Sequence, residues 1–145
     1  MLQKTKVRLA KIAKETGCIV KFNQKLEDGF EAAYFIENKT IVIGRDCNNS
    51  RELASTFFHE LGHHYCSQFN IYEDYHKRFN ENTYKLALRA ELYVDAVGEE
   101  MYCDAGFKDL GKYIRSYRTQ ESKAWLKEYW LDAEIERLKQ RYCLK

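Results

Sequence analysis

Two histidines four residues apart, His59 and His63, bracket the string His59-Glu60-Leu61-Gly62-His63. On an α-helix this spacing puts both rings on one face, one turn apart. Two imidazoles so placed can share one Zn²⁺ at about 2.0–2.1 Å. Glu60 stands beside them, with a carboxylate able to take a proton from a water that the metal polarises. At this chain's His and Glu content, H-E-x-x-H would arise by chance in about one such chain in a hundred. The string therefore reads as a metal site and not as a coincidence of surface residues.

A catalytic zinc takes three protein ligands and keeps one position open for water. The motif supplies two. Glu91, on the next helical segment, is the candidate for the third, far enough downstream for a loop and an antiparallel return. Asp95 follows Glu91 by one turn, so the two carboxylates face the same way. One can bind metal while the other accepts the free ring N–H of a ligand histidine and fixes its tautomer. Glu99 and Glu100 read as surface residues. His64 is rotated about 100° from His63 and points away from the shared face. His76 reads as a plain loop histidine, and Cys66 as a buried thiol. An oxyanion needs a further donor. Tyr72, Tyr75, His76 and Tyr84 are near enough in sequence to supply it, and nothing in the sequence chooses among them.

The elements that must position these residues can be read from periodicity and turn chemistry. Leu2 to Thr16 reads as a helix with Leu2, Leu9, Ile12 and Ala13 near one face and Gly17 as its stop. Cys18–Phe22, Phe30–Ile36 and Lys39–Gly44 read as strands, with a turn at Asp28-Gly29 and a hairpin through Glu37-Asn38. They predict a small, mostly antiparallel sheet. Asn49 with Glu52 three residues on resembles a capping box. It opens a helix from about Ser50 to Gln68 that carries the motif and buries Leu53, Phe57, Phe58, Leu61 and Tyr65. Asn70–Asn82 reads as a loop, and Thr83 to about Cys103 as the second ligand-bearing helix. A last helix is expected from about Glu121 to Tyr142, with Trp125, Tyr129 and Trp130 packed inward or forming a contact surface. The expected architecture is α+β: an N-terminal helix, a three-stranded sheet, the motif helix, the Glu91 helix and C-terminal helices. The 145 residues, with no proline and no Ser/Gly-rich linker, read as a single domain with a helical extension from about 107.

Composition narrows the function classes. Hydrophobic residues make up 45% of the chain, which is a globular and not a disordered composition. The net charge of +2, with basic residues scattered, argues against a nucleic-acid partner. No stretch approaches the length of a membrane span, and the first residues have no secretory pattern. The 5 cysteines are odd in number and widely spaced, as expected of reduced thiols in a cytoplasmic protein.

The strings Phe57-Phe58-His59-Glu60-Leu61-Gly62-His63-His64 and Arg89-Ala90-Glu91-Leu92-Tyr93-Val94-Asp95-Ala96 resemble the ImmA/IrrE metallopeptidase family. Its members carry H-E-L-G-H on one helix and E-x-x-A-D, or a close variant, on the next. They are similar to thermolysin-type gluzincins in using two His and one Glu on zinc. The resemblance covers roughly residues 1–105. It implies a zincin-like fold, with His59, His63 and Glu91 as zinc ligands, Glu60 as general base and Asp95 behind the ligands. Val94 stands where the family usually has Ala, and Ala96-Val97-Gly98 replaces the common F-A. The family is often encoded by phages and mobile elements and is implicated in inactivating helix-turn-helix repressors. The implied activity is zinc-dependent endopeptidase action on a protein substrate, such as a repressor encoded nearby. The alternative is a zinc-stabilised antirepressor or protein-binding module that does not cut its target.

Overall fold

The computed structural model describes residues 2–26, 31–45, 47, 49–68, 84–116 and 123–124, with the backbone alone at 67–68 and 84–90. Helix α1 (Leu2–Glu15) buries Thr5, Leu9 and Ala13, a stripe at four-residue spacing. Gly17 ends it at a φ of 82°. Gly17 N–H bonds the Lys14 carbonyl and Cys18 N–H the Ala13 carbonyl, the paired bonds of a Schellman cap.

Three strands follow: β1 (Ile19–Gln24), β2 (Ala32–Phe35) and β3 (Thr40–Gly44). The sheet order is β1-β3-β2. β2 and β3 form the expected hairpin, joined by a four-residue turn at 36–39 with Lys39 at a φ of 51°. β1 lies on the far side of β3 and runs parallel to it. The sheet is thus evenly mixed, and the expectation of a mostly antiparallel one is met at one of its two pairings. Alternation reports which face a side chain takes, not the direction of the neighbouring strand. As the central strand, β3 is the best buried, with Ile41 and Ile43 at 0% exposure.

Helix α2 (Ser50–Gln68) begins where its cap residue predicts. Asn49 Oδ1 accepts from the Glu52 N–H at 2.8 Å, satisfying one of the free donors of the first turn. Leu53, Phe57, Phe58 and Leu61 are buried in the core, whereas Tyr65 is 40% exposed, contrary to the inward position expected for it. Helix α3 (Tyr84–Asp104) packs against α2, and a 3-10 turn (Phe107–Leu110) follows. Phe58 meets Tyr102 and Phe107 edge to face there, and those two rings are tilted against each other, with centroids 5.2–5.8 Å apart. Among the described residues the fold is α+β, built on helices α1–α3 and one small mixed sheet. No helix among the described residues is long and apolar enough to cross a membrane. The turn expected at Asp28-Gly29, the 70–82 loop and nearly all of the C-terminal helix lie outside the described residues.

Candidate metal centre

Helices α2 and α3 cross at two glycines. A Cβ on Gly62 would lie 2.6 Å from the Val94 carbonyl oxygen, and a Cβ on Gly98 would lie 2.5 Å from that of Phe58. Each helix therefore offers a bare backbone where the other presents a carbonyl. Any larger residue would wedge the pair apart. Gly62 lies just before His63 and Gly98 three residues beyond Asp95, so this close crossing lies among the site residues.

Because the helices run antiparallel, a step of four residues along α2 matches a step of four back along α3. His59 accordingly meets Asp95, and His63 meets Glu91. His59 Nδ1 is 3.0 Å from Asp95 Oδ1, and His59 Nε2 is 3.0 Å from Glu91 Oε2. His63 Nε2 is 3.2 Å from the same Glu91 oxygen. One ligand atom from each of His59, His63 and Glu91 falls within 4.8 Å of the others, so this group could hold a metal ion. The short separations are close to the edge of a tetrahedron with bonds near 2.0 Å, about 3.3 Å. Two imidazoles and one carboxylate are also a donor set that suits a divalent transition metal. The donors fit a metal by geometry and by type.

The centre is closed on one side and open on the other. Asp95 is fully buried, His59 is 6% exposed, and His63 and Glu91 rise to 12% and 16%. On the closed side the Asp95 carboxylate accepts three hydrogen bonds: from His59 Nδ1, from the Tyr113 hydroxyl at 2.6 Å and from the Ser116 N–H at 2.8 Å. His59 thus gives its Nδ1–H to Asp95 and turns Nε2 toward the other donors.

Burial opposes charge on His59, but the hydrogen bonds to Asp95 and Glu91 outweigh it and hold its pKa well above the usual histidine value. Burial alone would raise Glu91; the adjacent His63 and the bonds to both histidines reverse this and lower it strongly. Glu60 differs. It is buried, and among the described residues no group hydrogen-bonds its carboxylate. Burial raises its pKa above the ordinary range. Burial and the Asp95 charge also keep the Tyr113 phenol protonated, as a donor must be.

No family model matches the chain, and no curated protein or solved structure does either. The functional reading therefore rests on the geometry.

His59, His63, Glu91 and Asp95 are brought together as expected, with Glu60 beside them. His64 points away, also as expected, and is tightly used. Its ring contacts the Tyr34 hydroxyl at 2.8 Å and the Thr16 carbonyl at 2.9 Å, closing the end of α1. Cys66 is fully buried with its thiol pushed up to about 11. Glu99 pairs with Arg115 on the surface at 2.7 Å. Tyr72, Tyr75, His76, Trp125, Tyr129 and Trp130 lie outside the described residues, as does the side chain of Tyr84. Sequence reasoning missed Tyr113 and Ser116. Both reach Asp95 from an irregular segment, where no periodicity marks them.

Proposed function

We propose that the chain is a zinc-dependent endopeptidase of the ImmA/IrrE type, zincin-like in fold, that hydrolyses a peptide bond in a protein substrate. One observation carries the reading: the buried carboxylate of Glu60, unmatched by any hydrogen-bond donor among the described residues, interacts electrostatically with His59, His63 and Glu91, the group that could hold a metal. A buried carboxylate without a hydrogen-bond donor costs stability, and a general base beside a metal has a use for it.

His59, His63 and Glu91 would hold the zinc. When bound, the metal supplies Lewis acidity toward the scissile carbonyl and toward water. Glu60 takes a proton from the attacking water and returns it to the departing amine. Its raised pKa makes it a better base than a solvated glutamate and a readier donor in the second step. Asp95 holds the His59 ring by its Nδ1–H. The more open side, at His63 and Glu91, is where a peptide would enter. The resemblance makes a helix-turn-helix repressor encoded nearby the first substrate to try, in the cytoplasm of a host carrying a phage or mobile element.

The test is incubation of the zinc-loaded protein with that repressor, followed by mass spectrometry of the products. The native chain is expected to cut. Glu60→Gln is expected to keep its zinc and to lose turnover by about 10²-fold or more. Cleavage by Glu60→Gln at the native rate would remove Glu60 as the base. Stable binding without cleavage by either protein would favour the non-cleaving antirepressor.

A further inference from the structure

The segment after the 3-10 turn crosses back over both helices of the metal centre, and it is fastened at every step. Arg51 Nε on α2 bonds the Lys112 carbonyl at 2.6 Å, and the Ile114 N–H bonds Ser55 Oγ at 3.0 Å. The Tyr102 hydroxyl on α3 bonds the Gly111 carbonyl at 2.9 Å. Between these ties the Tyr113 ring turns inward, 8% exposed, edge-on to Tyr102 at 5.5 Å. Its hydroxyl reaches Asp95 Oδ1, and the Ser116 N–H takes Oδ2.

The glycine at 98 makes room for this. A Cβ there would come within 3.0 Å of the Tyr113 oxygen as well as striking the Phe58 carbonyl. The same missing side chain thus admits the neighbouring helix and the tyrosine hydroxyl. Tyr113 is joined to the site by a bond on one side and a shaped space on the other.

We propose that Tyr113, with the Ser116 N–H, is a positioning element of the metal centre: the pair clamps both oxygens of Asp95, so that Asp95 can hold His59 in its ligand orientation. The inference rests on the metal-site reading above and adds residues that touch no metal donor. Among the described residues, Asp95 without the clamp would keep one hydrogen bond, from His59 to Oδ1, and its Oδ2 would have no donor. With the clamp, the carboxylate plane is set from three directions, and the His59 ring follows it.

The experiment measures Zn²⁺ affinity of the full chain against a competing chelator, together with the visible spectrum of the Co²⁺-substituted protein and the melting temperature without metal. Tyr113→Phe keeps the ring and removes the hydroxyl. It is expected to weaken Zn²⁺ binding by about tenfold, in the range seen for groups that orient metal ligands, and to alter the Co²⁺ bands. Ile43→Val, in the core away from the 111–116 segment, is expected to lower the melting temperature and leave affinity and bands unchanged. Ser116→Pro, which deletes the N–H at an exposed position, is expected to weaken binding in the same direction and decides the matter if Tyr113→Phe does not fold. Unchanged affinity and bands in a folded Tyr113→Phe, or in Ser116→Pro if Tyr113→Phe does not fold, would overturn the clamp and leave the metal site standing. A native chain that binds no Zn²⁺ would overturn both.

Discussion

The His59 ring lies between two carboxylates, Asp95 on one nitrogen and Glu91 on the other, which fixes how the metal-free protein should titrate. Its pKa is raised well above the ordinary 6.5, because both hydrogen bonds favour the protonated ring. Its stabilising contribution is fully present below about 6.5 and lost as pH rises through the raised value. Glu91 works in the opposite sense. Its pKa lies far below the ordinary 4.5, so its contribution is present above that value and lost as pH falls toward the lowered one. Metal binding at His59 Nε2 displaces a proton held there, whereas the lowered pKa of Glu91 leaves its carboxylate none to give. Titration calorimetry in buffers of different ionisation heat should therefore show release of about one proton per zinc near pH 7, and affinity should rise with pH. Heats independent of buffer would mean that His59 is neutral without metal. The four residues that meet here were legible in the sequence, because a helix repeats and a four-residue spacing fixes a shared face. That no described residue hydrogen-bonds Glu60 was not legible, since it depends on the packing around its carboxylate. Tyr113 and Ser116 carried no signal, because an irregular segment has no period to extrapolate.

At the scale of elements, the crossing of α2 and α3 decides whether the donors meet. Glycine costs a helix about 1 kcal/mol relative to alanine. Gly62 and Gly98 sit mid-helix despite that cost, because each faces a carbonyl of the partner helix. Gly98→Ala is expected to destabilise the protein by about 2 kcal/mol or more in urea, since overpacking against backbone outweighs the gain in propensity. Zinc affinity should fall with it, as His59 and Asp95 are driven apart. A net gain in stability of about 1 kcal/mol would show that the helices do not touch there. The bounds of α2 could be read from Asn49, whose side chain caps the first turn, and those of α1 from Gly17. The strand segments were also readable, but the parallel pairing of β1 with β3 was not. It is a choice among long-range partners that local alternation leaves open. Tyr65 fell outside the buried stripe for a related reason: an apolar face is wider in sequence than the surface available to cover it.

Across the described molecule, α2 has two tasks. It packs against α1, β2, β3 and α3, and Leu53, Phe57, Phe58 and Leu61 seal the core. His59, Glu60 and His63, on the same helix, form the site with Glu91 and Asp95 of α3. A donor group on a helix so firmly held keeps its geometry without needing the metal to create it. The fold should therefore survive metal removal, unlike that of a zinc finger, with the centre acting as a site and not as a structural staple. The metal centre is tested most directly by elemental analysis of the purified native chain and of His63→Ala, each paired with a circular dichroism spectrum. One zinc per native chain, little or none in His63→Ala, and the same helical content in both are expected. A native chain without stoichiometric metal after zinc loading, or a His63→Ala protein that retains it in full, would contradict the metal centre on which the proposed activity depends.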